Sequence, residues 1–164
     1  MKTLIQQKSA EKMNVKTVIG YGVGGFGENL AYGIFYMFFI FFLTSIAGIS
    51  PGKAGMISLF AVMWDAITDP IVGFMSDNLK WSKWGKRVPF ILAGAIPMGI
   101  CIFLLFCDLQ SFGETTKVIY FIIINIAFWF FFTMTDLPYI VAATEITKDY
   151  DMKTKLRTST MIFM

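Results

Sequence analysis

The chain has 164 residues, of which 56% are hydrophobic and only 15% charged, with a formal net charge of +3, 18 phenylalanines and no histidine. A mean hydropathy of +0.65 excludes a soluble globular domain and indicates an integral membrane protein. With no His, no motif-placed nucleophile and no metal-ligand cluster beyond a few acids, neither an enzyme nor a resident cofactor is expected.

Residues 1–17 form a polar N-terminal segment bearing Lys2, Lys8, Lys12 and Lys16. The apolar stretch that follows, 18–43, far exceeds the roughly 7–15 residues of a cleavable signal core, so it is expected to remain as the first membrane helix. It opens with Gly20-x-Gly22-x-x-Gly25 and Gly22-x-Gly24-x-x-Gly27. Both match the dinucleotide fingerprint, but that fingerprint needs a preceding strand; here the small residues are expected to admit a neighbouring helix or a bend. Glu28-Asn29 comes next, either as a functional polar pair or as an interhelical hydrogen bond beside a water-facing acid.

The second stretch, 54–76, is interrupted by only two charges, Asp65 and Asp69. At about 1.5 Å per residue it spans roughly 35 Å, which puts Asp65 near the bilayer midplane. An ionised group there costs on the order of 2.5–3.5 kcal/mol. The third stretch, 88–107, contains Cys101 and Cys107, six residues apart and so not side by side on a helix; both read as small packing residues. The fourth, 118–144, carries Thr133 and Asp136, and a fifth apolar stretch begins near Thr158. Segments of this length satisfy their own backbone as helices, whereas a membrane barrel needs alternating strands of about ten residues. The expected fold is all-α and polytopic: four complete transmembrane helices and the start of a fifth.

The cations set orientation. Lys2, Lys8, Lys12, Lys16, Lys80, Lys83, Lys86, Arg87, Lys148, Lys153, Lys155 and Arg157 all fall on one side, leaving only Lys53 and Lys117 of the 14 on the other. The N-terminus and the 2–3 and 4–5 loops are therefore expected in the cytoplasm. The net positive charge reflects this topology, and no nucleic-acid partner is implied.

Asp65, Thr68 and Asp69 lie at helical spacings that project them to one side, and Pro70 has no N–H to offer the Ala66 carbonyl. Two carboxylates, a hydroxyl and a free carbonyl suit a hard monovalent cation, or a proton shared between like charges; the alternative is neutralisation by a basic side chain of an adjacent helix. Asp136 and Asp69 lie five and four residues past the centres of their stretches toward the same side. Their common depth points to a polar cavity between helices two and four, with Thr133 one turn away, unless Asp136 is structural polar glue.

The run Trp64-Asp65-Ala66-Ile67-Thr68-Asp69-Pro70, Asp136-Leu137-Pro138 and the opening Tyr21-Gly22-x-Gly24 resemble the glycoside–pentoside–hexuronide cation symporters, of which the melibiose permease is the type member. Gly73-x-x-x-Asp77 with Trp84-Gly85-Lys86-Arg87 is similar to the 2–3 loop signature of the major facilitator superfamily, of which that family is a branch. The resemblance implies a multi-pass protein of the cell (inner) membrane. It implies a cation site at Asp65, Thr68, Asp69 and Thr133, with sodium or a proton as coupling ion and sodium held by Asp65 and Asp69. It also implies a sugar site at Asp136, Asn29 and Glu28, and a conformational loop motif at Gly73, Asp77, Gly85, Lys86 and Arg87. Thr68 replaces an Asn of the type member, Asn29 an Asp, Glu28 a Lys and Ile140 a sugar-stacking Trp, so melibiose specificity does not follow.

Cation binding by Asp65 and Asp69 would lower the cost of two buried charges and present Asp136 to substrate, coupling the two occupancies. Residues 18–164 are expected to form part of the N-terminal half of such a transporter, in the lipid bilayer, with the C-terminal half as its missing partner. The reading from another class is a small self-associating membrane protein that lines an acidic cation pore or scaffold with Asp65, Asp69 and Asp136.

Overall fold

The computed structural model describes residues 15–78, 87–107, 109–146 and 150–162. Among them the regular structure is helical: α1 (Val15–Phe41), extended by a π-helical turn (Phe42–Ile46), then α2 (Pro51–Asn78), α3 (Val88–Leu105), α4 (Glu114–Ile146) and α5 (Tyr150–Ile162). Four of these, over Val18–Ile46, Pro51–Asn78, Val88–Leu105 and Glu114–Ala142, are long and apolar enough to cross a membrane.

Helix ends fall where chemistry allows them. The α1 extension stops at Gly48, whose φ of 69° suits a residue without Cβ. Ala47 N–H then donates to the Phe42 carbonyl at 2.8 Å and Ile49 N–H to that of Leu43 at 2.9 Å. Pro51 begins α2, a position at which its missing N–H removes no helical hydrogen bond. Pro70, Pro97 and Pro138 lie inside α2, α3 and α4 without ending them.

α1, α2 and α4 extend beyond the apolar stretches into polar flanks, because hydropathy marks lipid contact and not the first hydrogen-bonded turn, whereas α3 ends at Leu105, two residues short of its stretch. The difference is largest for α5, which begins at Tyr150 and not near Thr158. It presents Met152, Leu156 and Ser159, all buried, at spacings of three and four residues, and packs against α1.

α4 is the hub, packed along α3 and α2 and touching α1 and α5. Its fully buried Phe121 and Phe128 centre a core that takes in Phe35, Phe39 and Leu43 from α1 and its extension, Ile57 from α2 and Leu105 from α3. Phe35 stacks on Phe39 at 4.6 Å and on Phe128 at 4.8 Å between ring centroids. Asn125 is fully buried and donates its amide to the Ile57 carbonyl at 3.3 Å, tying α4 to α2. Cys101 and Cys107 are free thiols. Large apolar side chains such as Met37, Phe74, Ile96 and Phe103 point outward, the surface that lipid tails accommodate.

Lys117 and Lys53 each have a local partner. The Lys117 ammonium donates to the Ala47 carbonyl at 2.9 Å, capping the end of the α1 extension, and Lys53 pairs with Glu114 at 2.7 Å.

Gly94 sets the α3–α4 approach. A Cβ there would lie 2.6 Å from Thr135 Oγ1, 3.0 Å from the Phe131 carbonyl oxygen and 3.1 Å from Met134 Cβ, whereas one at Gly99 meets nothing within 4 Å. Alanine's helix-propensity gain of about 1 kcal/mol is outweighed at Gly94 by an overpacking cost of about 1–3 kcal/mol. In detergent thermal unfolding, Gly94→Ala should melt below the wild type and Gly99→Ala at or above it.

Candidate functional site

Four half-buried acids come together across α1, α2 and α4. Asp65 and Asp69 stand one turn apart on α2, and the Thr133 hydroxyl of α4 lies 3.0 Å from an Oδ1 of each. A hydroxyl carries a single proton and can donate to only one of them at a time. The two carboxyl groups are also within hydrogen-bond reach of each other, and two bare carboxylates share no donor. The geometry therefore suits a positive charge, proton or metal cation, between them. Thr68 is buried on the same helix, but its hydroxyl donates to the Asp65 carbonyl at 3.2 Å and so turns into its own backbone.

Asp136, at the same level of α4, lies within electrostatic reach of Asp65 and within hydrogen-bond reach of Glu28 on α1. Glu28 is thus part of the acidic cluster and does not stand apart in water. Asn29 beside it donates its amide to the Gly25 carbonyl at 2.9 Å, which leaves its Oδ1 to face outward from that bond. Among the described residues no three His, Cys, Asp or Glu side chains converge as a metal site, so a cation at Asp65 and Asp69 would be completed by neutral oxygens such as Thr133 Oγ1. That donor set matches a single positive charge better than a divalent ion. Among the described residues, the ion pairs of Lys53 with Glu114 and of Arg87 with Asp77 lie at the ends of the bundle, away from Asp65 and Asp69.

At the end opposite Lys117, Arg87 bridges α2 and α3. Its guanidinium donates to Ser76 Oγ at 3.2 Å and to Asp77 Oδ1 at 3.1 Å; the arginine side chain is 10% exposed and the aspartate 67%. Gly73 has open space where a Cβ would stand. Gly85 and Lys86 of the expected loop motif lie outside the described residues.

A second clamp was not foreseen from the sequence. Tyr21 of α1 and Tyr139 of α4 stack with centroids 4.4 Å apart and planes 8° from parallel, and each hydroxyl donates to the other's backbone carbonyl. Gly25 makes room for this: a Cβ there would lie 2.6 Å from the Tyr139 hydroxyl and 3.3 Å from Thr160 Cγ2 of α5, while Gly20 and Gly27 face open space. Of the glycine run, Gly25 is thus the close-approach position, with Gly24 in ordinary contact with Tyr139 at 3.5 Å. The clamp holds α1 against α4 two turns from Glu28 and one turn from Asp136, fixing which α1 residue meets Asp136. The visible signal was an aromatic next to Pro138; the partner across 118 residues leaves no local trace.

A polytopic helical bundle with a half-buried acid cluster between its membrane-length helices is the architecture of a multi-pass membrane protein. The chain belongs to the MFS/sugar transport protein family, which matches residues 20–164; it is a multi-pass membrane protein of a family of transporters, not enzymes. It is 34% identical over 163 residues to an uncharacterized symporter of Synechocystis sp., covering 96% of this chain and 30% of that protein. It is 34% identical over 150 residues to the inner membrane symporter YicJ of Escherichia coli (strain K12), covering 90% and 32%. YagG of the same organism, named for glycoside/cation symport, is 31% identical over 138 residues, covering 84% and 30%. The chain spans roughly a third of the length of these curated relatives.

Tyr139→Phe keeps the ring stack and removes one hydrogen bond, which should lower stability by about 0.5–1.5 kcal/mol. Gly25→Ala should cost more, since its methyl meets the Tyr139 hydroxyl. If that collision is the cause, the double variant will lose less than the sum of the two single losses in thermal unfolding.

Proposed function

We propose that this chain provides the coupling-ion site and one wall of the substrate site of a cation-coupled sugar or glycoside symporter, with residues 18–164 forming part of its N-terminal half. The observation that carries the reading is the Thr133 hydroxyl set 3.0 Å from both Asp65 and Asp69. In this reading Asp65, Asp69 and Thr133 hold one sodium ion or proton. Thr68 joins as a ligand once its hydroxyl leaves the Asp65 carbonyl. Asp136 accepts hydrogen bonds from sugar hydroxyls, while Glu28 and the free carbonyl of the Asn29 amide complete that wall.

Coupling follows from charge. Without the cation, the Asp65 and Asp69 pair raises the cost of any further negative charge at Asp136, which lies within its electrostatic reach. A bound cation removes that repulsion and leaves Asp136 free to accept hydrogen bonds from substrate. By linkage, substrate strengthens cation binding by the same factor, for which couplings of about 1–3 kcal/mol, or roughly 5–150-fold, are typical. Rocking of two halves about the site would then carry both across. The relatives are named as symporters, in one case a glycoside/cation symporter, which supports this reading.

The test is uptake of labelled glycosides into vesicles that contain the complete transporter, driven in turn by a sodium and a proton gradient. The expected result is accumulation under one gradient, lost in Asp65→Asn and in Asp69→Asn while gradient-independent exchange survives. Thr133→Ala should retain transport with the cation dependence shifted to about 10-fold or more higher concentration. Uptake indifferent to both carboxylate substitutions, or a cation leak that needs no substrate, would overturn the reading in favour of an acidic pore.

A further inference from the structure

The seam between α2 and α4 carries a polar contact well away from the acids. Asn125 is fully buried, on the same face of α4 as Phe121 and Phe128, and donates its amide to the Ile57 carbonyl of α2 at 3.3 Å. Ile57 and Asn125 are 68 residues apart in the chain, and so are Asp65 and Thr133. A constant offset means that the two helices run parallel, in one register over both contacts. The contacts are eight residues apart on each helix, which sets Asn125 about 12 Å along the axis from Thr133. The other amide atom, Oδ1, is buried and meets no donor among the described residues. Turning the amide over would face that oxygen to the Ile57 carbonyl, acceptor against acceptor. The orientation is thus fixed, at the cost of an unpaired oxygen in an apolar seam.

We infer, resting on the coupling-ion reading above, that Asn125 is a positioning residue: it sets the α2–α4 register in which the Thr133 hydroxyl stands between Asp65 and Asp69. Register matters because the acids are one turn apart. Slid by one turn in either direction, Thr133 would face Asp69 and Gly73 or Ala61 and Asp65, one carboxyl group in place of two. The nearby part of the buried stripe on α2, Ala54, Ile57 and Ala61, is apolar and holds one register little better than the next. The amide does discriminate. In a helix each side chain leans over the turn N-terminal to it, so the Ile57 carbonyl is overlain by the small Ala61. The carbonyls one turn to either side, of Lys53 and Ala61, are overlain by the larger Ile57 and Asp65. A single buried Asn can fix the register of packed helices in this way, and it lowers stability as it does so.

The experiment uses the complete transporter and measures two quantities on each variant: the thermal midpoint, and the cation concentration for half-maximal uptake of the best-transported glycoside of a panel. Asn125→Leu removes the amide and its unpaired oxygen at similar volume. It should melt at or above the wild type and yet require about tenfold more sodium, or a pH about one unit lower if the ion is a proton. Combined with Thr133→Ala, it should add less than about twofold to the shift of Thr133→Ala alone, since the amide acts only by placing that hydroxyl. Asn125→Ala, which also leaves a cavity, should melt lower with the same cation shift, so that the two readouts separate. Unchanged cation dependence in both variants, whatever their midpoints, makes the amide a structural contact and overturns the inference. Shifts that multiply in the double variant overturn it too, because the amide then acts other than through Thr133. Failure of both variants to yield folded transporter also overturns it, since the fold then depends on the amide. If the wild type accumulates no glycoside under either gradient, or Asp65→Asn leaves the cation dependence unchanged, the coupling-ion reading itself falls, and this inference with it.

Discussion

A single threonine hydroxyl facing two half-buried carboxyl groups is the constraint on which the rest of this bundle turns. Thr133 belongs to α4, Asp65 and Asp69 to α2, so the acids can be satisfied only while those two helices stay in register. The remainder of their interface keeps that register. Asn125 reaches the Ile57 carbonyl about two turns nearer the other end, and Ala54, Ile57, Ala61, Thr68 and Val72 form one buried stripe along α2. An unmatched charge at this depth costs several kilocalories per mole, comparable to a large part of a protein's net stability. The pair therefore favours any state in which a proton or cation sits between its oxygens. This is the physical basis for a conformational equilibrium that responds to one small ion.

The acids of α1 and α4 are positioned by a different device. Glu28 reaches Asp136 only because α1 is pinned to α4 on both sides of it, by the Tyr21–Tyr139 stack toward one end and by Phe35 on Phe128 toward the other. Gly25 permits the first of these contacts by leaving room for the Tyr139 hydroxyl. Elsewhere α1 packs mainly on α5 and on its own π-helical extension, and much of its remaining surface is exposed. A helix held at two points with an open face between them can present polar groups to a ligand without losing its place in the bundle. At the far end Arg87 joins α2 to α3, and Lys117 and Lys53 close the other end, so among the described residues these cations stabilise the rims of the bundle.

The elements legible in the sequence were those governed by lipid. Long apolar runs, the placement of Asp65 and Asp69 one turn apart, and the shared depth of Asp69 and Asp136 all follow from hydropathy and helical spacing. What remained hidden depends on partners distant in the chain. The amphipathic start of α5 is polar enough to look like a loop until Met152 and Leu156 are seen buried. Glu28 reads equally as a functional acid or a water-facing one until Asp136 is found beside it. The hydroxyls of Thr68 and the amide of Asn29 have the right chemistry for a ligand, yet both turn into their own helix, a choice that residue type alone does not reveal. Tyr139, the largest omission, has its partner 118 residues away.

The central claim is that Asp65, Asp69 and Thr133 hold the one positive charge that moves with substrate. Its most direct test is the current produced when a neutral methyl glycoside is added to the complete transporter on a solid-supported membrane, with no imposed gradient. Whether sodium or a proton is the ion, a transient inward positive current should appear in the wild type and vanish in Asp65→Asn and Asp69→Asn. A substrate-induced current of the same size in either variant would show that the charge travels elsewhere and would contradict the account.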